Sequence, residues 1–176
     1  MIIATQETLT WAYRPLETED QPFLWEMLYE AIYIAPRQPA PPRHIIYEPM
    51  LAQYAENWGQ TGDDGLLAYE TVTKRPLGAA WLRYSTAEKH GYGFISPEIP
   101  ELSIALLPNY RGQGIGSALL KSLLASGKWA AISLSVSPEN PAFGLYTRCG
   151  FVTVGREGDS LTMLWQASHC ASPEIG

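Results

Sequence analysis

The spacing of apolar and polar positions changes several times along the chain, and each change marks an element. Thr10 to Arg14 sets Trp11 and Tyr13 against Ala12 and Arg14, the alternation of a short strand. Thr18 to Asp20 then opens a helix that runs to about Tyr33. One stripe holds Phe23, Met27, Glu30 and Ile34, with Leu24, Leu28 and Ala31 beside it. Thr18 with Gln21 resembles a capping box, though Pro22 suits only a first turn and points to Asp20 as the cap. Ala35 to Arg43 holds four prolines and reads as an extended loop. A second helix is expected over Pro49–Trp58, on Met50, Leu51, Tyr54 and Trp58. Leu66–Val72 and Leu77–Ser85 read as a strand hairpin, and Thr86–Pro100 as a loop containing Gly91-Tyr-Gly-Phe94.

The most informative stretch follows. Leu102 to Leu107 is an apolar run of strand length, stopped by Pro108 and Asn109. Gly112, Gly114 and Gly116 come next, at alternate positions. Ile115, Leu119, Leu120, Leu123 and Leu124 then form a helical stripe, which Gly127 ends. Ile132, Leu134 and Val136 alternate with serines in another strand. Asn140-Pro141 opens a short helix, with Asn as N-cap and Pro at the first helical position, and Gly150 closes it. Phe151–Gly155 and Leu161–Gln166 complete a last strand pair. Residues 1–9 read as a loose arm and the tail from Ala167 as disordered. The order is mixed α/β, and the crossover over residues 101–136 should be parallel.

Composition narrows the classes. The 176 residues are 46% hydrophobic, which suits one globular domain, placed at residues 10–168. No apolar run approaches the roughly 18 residues of a membrane helix, and no leader pattern opens the chain, so a cytoplasmic protein without membrane contact is expected. A net charge of −6 and the lack of a basic stripe argue against nucleic acid. Cys149 and Cys170 have no metal-ligand spacing, a disulfide between them stays open, and His44, His90 and His169 form no metal constellation.

A strand that enters a helix through a glycine turn leaves backbone N–H groups exposed, a natural phosphate cradle. Two phosphate motifs fail on spacing. A P-loop needs Lys after its second glycine, but Gly112 plus five is Ser117 with no Lys beside it. A dinucleotide fingerprint needs a third glycine where Ser117 or Leu119 stands. What remains is Arg111-Gly-Gln-Gly-Ile-Gly116. It resembles the acyl-CoA-binding motif of GNAT-type N-acetyltransferases, whose pattern is Q/R-x-x-G-x-G/A. Asn140-Pro-Ala-Phe-Gly-Leu-Tyr146 and Arg148-Cys-Gly-Phe151 resemble the segments that follow it in that family.

The resemblance implies a mostly antiparallel sheet of about six or seven strands with one parallel, splayed pair, flanked by about four helices. It implies acetyl-CoA as cosubstrate, no metal, and a primary amine as acceptor, with a small molecule expected. A homodimer is compatible with it. A non-catalytic acyl-CoA sensor and a peptide N-acetyltransferase are the alternatives. By resemblance, backbone groups of Arg111, Gly112, Gln113, Gly114, Ile115, Gly116 and Ser117 hold the pyrophosphate. Leu106 and Leu107 pair with the pantetheine, and a backbone N–H near Leu106 polarises the thioester. Tyr146 is the candidate acid for the departing thiolate, and Asn140 a candidate CoA contact besides its cap role. Glu101, with Glu98 nearby, is the candidate base. Tyr29, Tyr33 and Tyr84, with Tyr92, would line the acceptor side.

Overall fold

The computed structural model describes residues 9–168. Among these, seven strands form one sheet in the order β1-β2-β3-β4-β5-β7-β6. They are β1 (Trp11–Pro15), β2 (Asp64–Glu70), β3 (Pro76–Arg83), β4 (Glu101–Leu106), β5 (Ala131–Val136), β6 (Val152–Glu157) and β7 (Ser160–Gln166). All neighbours are antiparallel except β4 and β5. The α-helices are α1 (Gln21–Glu30), α2 (Pro49–Ala52), α3 (Ile115–Ala125) and α4 (Ala142–Arg148). The mixed architecture with one parallel pair is the one expected. Among the described residues no helix is long and apolar enough to cross a membrane.

Strand alternation divides the core into two layers. On one face, α3 and α4 bury Ile115, Leu119, Leu120, Leu123 and Tyr146 against Leu102, Ile132, Leu134 and Val136. On the other, α1 and the segment after α2 bury Leu24, Met27, Leu28, Tyr54 and Trp58 against Ala79, Trp81 and Ala105.

Three local expectations need correction. The first helix stops at Glu30, not near Tyr33: the Ile32 N–H turns to Tyr29 O (3.1 Å), a tighter turn than the helical bond to Leu28 O. Asp20 is the N-cap residue of α1, as expected, but the capping box lies one step earlier than Thr18–Gln21, on the 3-10 turn Thr18–Asp20. The Glu17 N–H donates to Asp20 Oδ2 (2.8 Å), and Asp20 is in turn gripped by both terminal nitrogens of Arg14. The second helix is a single turn and does not reach Trp58. Beyond it the chain runs in turns, with Asn57 at a φ of +52°, and the buried Arg83 guanidinium, paired with Asp63 at 2.8 Å, donates to the carbonyls of Gln53, Glu56 and Asn57. Those tertiary bonds outweigh local helix preference.

The arm and tail lie outside the described residues except at their inner ends. Leu9 packs on the core, and the Ala167 N–H donates to Ala130 O at 2.8 Å, so both are held rather than loose. Cys170 and His169 lie outside the described residues.

Candidate active site

The parallel neighbours β4 and β5 meet at one register pair, Glu101 opposite Ser133, where the Ser133 N–H donates to Pro100 O (3.0 Å). Every antiparallel neighbour pair has five or six register partners. The sheet therefore opens toward the C-terminal ends of β4 and β5. Ladder alternation says which groups face the opening. The Leu107 N–H is bonded to Leu77 O across β3 (2.8 Å), so Leu107 offers no free donor to a ligand. Ile104 and Leu106, at the alternate positions, turn their backbone groups toward the opening. Of the two leucines expected to pair with pantetheine, Leu106 alone has that geometry.

β4 leads directly into the glycine turn. Gly112 and Gly114 have φ of +71° and +82°, a region that side chains rarely adopt. A Cβ at either would meet nothing, so the backbone conformation, not space, calls for glycine. The result is a run of outward N–H groups. From Gly112 to Ser117 none has an acceptor among the described residues, and the first helical bond runs from the Ala118 N–H to Gly114 O (3.0 Å). The Arg111 N–H is used by Pro108 O (3.3 Å). The run of free N–H groups thus begins at Gly112, one residue after Arg111, and ends at Ser117. The N-terminal dipole of α3 adds positive potential at the same point.

Glu101 sits where the opening ends. It lies on the α1 face, and its side chain is buried. Its Oε1 accepts from the Tyr54 hydroxyl (2.6 Å) and the Gly93 N–H (2.8 Å). The Tyr54 hydroxyl itself accepts from the Tyr92 N–H (2.7 Å). Oε2 is buried without a partner, as is the hydroxyl of Ser133. Burial pushes the Glu101 carboxyl up to about 7, against the pull of its two hydrogen bonds. The loop Gly91–Gly93 comes close enough to hold it only because it lacks side chains there. A Cβ at Gly91 would sit 2.0 Å from the Tyr54 hydroxyl, and one at Gly93 2.6 Å from the Leu134 carbonyl carbon on β5. Tyr92 was named for the acceptor side, but Tyr54, Gly91 and Gly93 were not among the expected site residues.

Tyr146 occupies the opposite face. It lies in α4, is 7% exposed, and packs edge-on against Phe151 with ring centroids 5.8 Å apart. Burial alone pushes its phenol well above the usual value, so it is a neutral donor at any working pH. α4 is started by Asn140, whose Oδ1 accepts from the Ala142 N–H (2.9 Å). Asn140→Ala should lower unfolding free energy by about 1 kcal/mol, measured by urea denaturation; no loss would mean the cap carries no weight.

The three acceptor-side tyrosines are not brought together. Tyr29 donates to Pro41 O (2.7 Å) beneath the Arg43 guanidinium, and Tyr33 follows the end of α1. Glu30, next to Tyr29, is tied through Arg111 to the Leu106 end of β4, while Tyr84 follows β3 at the Glu101 end, against Gly62. Clefts of about 410 and 380 Å³ occur elsewhere, the first beside Lys121 and Arg148, the second between Trp25 and Tyr47.

Residues 63–153, just over half the chain, match the family described as the acetyltransferase (GNAT) domain. No curated protein matches the chain by sequence. Solved structures share its fold. The PaiA N-acetyltransferase of Thermoplasma acidophilum, in complex with coenzyme A, is 19% identical with a TM-score of 0.62, covering 90% of this chain and 100% of its own. YncA of Salmonella typhimurium, solved with acetyl-CoA, is 19% identical with a TM-score of 0.62, covering 94% and 99%. A chimera of the spermidine N-acetyltransferase SpeG of Vibrio cholerae and hSSAT is 22% identical with a TM-score of 0.57, covering 89% and 95%. At these identities the likeness speaks for the fold. The matched segment spans the open strand pair, the glycine turn and α4, and the chain belongs to the GNAT acetyltransferase family.

Proposed function

We propose that the protein is an acetyl-CoA-dependent N-acetyltransferase acting on the primary amine of a small molecule. The observation that carries this reading is the run of unpaired N–H groups at Gly112–Ser117, directly after a strand that meets its parallel neighbour at a single register pair; Glu101 at that pair and Tyr146 in the layer on the other face support it. The opening is where groups from both faces can reach one reacting carbon. The unpaired N–H groups of Gly112–Ser117 suit a pyrophosphate, and those of Ile104 and Leu106 suit an extended amide arm.

In this reading the amine nitrogen attacks the thioester carbon from the Glu101 side. The C–N bond forms and the C–S bond breaks. A strand N–H facing the opening stabilises the oxyanion. The ammonium proton leaves for the Glu101 carboxylate through solvent, since that carboxylate is itself buried. The thiolate departs toward Tyr146. The phenol, held above its usual pKa, donates a hydrogen bond more readily than its proton.

The test is in two steps. Acetyl-CoA at a hundred times its Kd should stabilise the fold by about 2.7 kcal/mol, read as a rise in melting temperature. Thiol release is then followed across monoamines, polyamines, amino acids and peptides. Turnover on a small amine supports the proposal. Binding without turnover on any acceptor would make the protein an acyl-CoA sensor, and no thermal shift would remove the cosubstrate reading itself.

A further inference from the structure

Arg111 opens the phosphate turn, yet its side chain leaves the turn. Nε donates to Leu106 O (3.2 Å), while Nη2 donates to Glu30 O (3.2 Å) and to Glu30 Oε2 (2.8 Å). One guanidinium thus joins the end of β4, the phosphate turn and the last residue of α1, 81 positions away in sequence. The arrangement answers an electrostatic problem in α1. A carboxylate in the final turn faces the negative end of the helix dipole, and α1 has no basic residue there. The Glu30 side chain is only 13% exposed, so it cannot rely on water. Arg111 supplies the missing cation and also takes up the α1-terminal carbonyl.

Resting on the acyl-CoA reading of the turn, we propose that Arg111 is a positioning residue that couples acyl-CoA binding to the order of α1, and not a phosphate ligand. A pyrophosphate bound to the N–H groups from Gly112 onward fixes the turn. A fixed turn anchors the Arg111 backbone, and its guanidinium then holds the end of α1 and the Leu106 carbonyl in place. Pulling Arg111 toward the phosphate would strand Glu30 beside a helix C-terminus, so the clamp is retained on binding. By linkage, whatever orders α1 from the other side tightens acyl-CoA by the same factor.

The experiment measures CoA affinity by calorimetry and amide exchange of residues 27–31 with and without saturating CoA, in wild type, Arg111→Met and Glu30→Gln. In wild type, CoA should slow exchange at these amides about tenfold. In both variants that slowing should be lost, while the Kd for CoA rises less than about fivefold. Wild-type protection that persists in Arg111→Met overturns the coupling. A Kd raised more than tenfold in Arg111→Met but unchanged in Glu30→Gln overturns it too, by making Arg111 a direct phosphate ligand. Glu30→Gln keeps the side-chain shape and guards against a folding defect in the arginine variant. Absence of CoA binding by wild type would instead sink the acyl-CoA reading, a result these variants leave distinct.

Discussion

Glu101→Gln is expected to lower kcat by about a hundredfold or more, the scale of lost general-base catalysis, on whichever amine turns over. Glutamine is a close test because its Oε1 can still accept from the Tyr54 hydroxyl and the Gly93 N–H. What it lacks is a titrating oxygen. Wild-type turnover should rise with pH around a midpoint near 7, where the buried carboxyl ionises, and the variant should show no such rise. Stability should move the opposite way. The folded state holds this proton more tightly than the unfolded chain, whose value is near 4.5. The carboxyl's contribution is therefore complete below about pH 4.5, declines as pH rises, and is gone above about 7. The decline is on the order of 3 kcal/mol at ~1.4 kcal/mol per unit. Denaturant titrations between pH 4 and 8 would read it as the difference between wild type and Glu101→Gln. Parallel stability curves, or an unchanged pH–rate limb, would remove Glu101 from the base role.

Tyr146→Phe should lower kcat about 10- to 150-fold, since a hydrogen bond to a charged group is worth about 1.5–3 kcal/mol. Affinity for CoA should change less than twofold. Phenylalanine preserves the packing against Phe151, and no described residue hydrogen-bonds the hydroxyl, so stability should hold. The deficit should shrink with acetyl thioesters of more acidic thiols, because a better leaving group needs less help. Wild-type turnover in this variant, or an equal deficit with every thioester, would end the assignment.

The parts of the site that lie along one stretch of chain were legible in the sequence. The glycine turn follows its strand and precedes its helix, so local geometry and local sequence coincide. The same holds for Asn140, whose cap closes two residues on. The parts that were not legible join distant segments. Tyr54 meets Glu101 across 47 residues, and Arg111 meets Glu30 across 81. Neither pairing leaves a periodic trace. Gly91 and Gly93 did stand out as a glycine pair, but only the backbone of β5 and the Tyr54 hydroxyl explain them. The helix expected over Pro49–Trp58 failed for a related reason. Its spacing was right for burying Tyr54 and Trp58, yet Arg83 from β3 takes the Gln53 carbonyl that a helix would need, and Asn57 adopts a φ of +52°. The acceptor tyrosines were grouped by resemblance, whereas Tyr29 donates to the Pro41 carbonyl and Tyr84 packs at Gly62.

The single rung between β4 and β5 has a mechanical consequence. The sheet falls into two halves, β1–β4 and β5–β7, which meet where Glu101 pairs with Ser133, while α3 packs on β2, β3 and β4. An extended amide arm lying along Ile104 and Leu106 would act as the absent rungs. On the proposed function, the cosubstrate would be a temporary eighth strand that leaves once its acetyl group is transferred. On that proposal each turnover would close and reopen the seam beside Glu101, the proposed base.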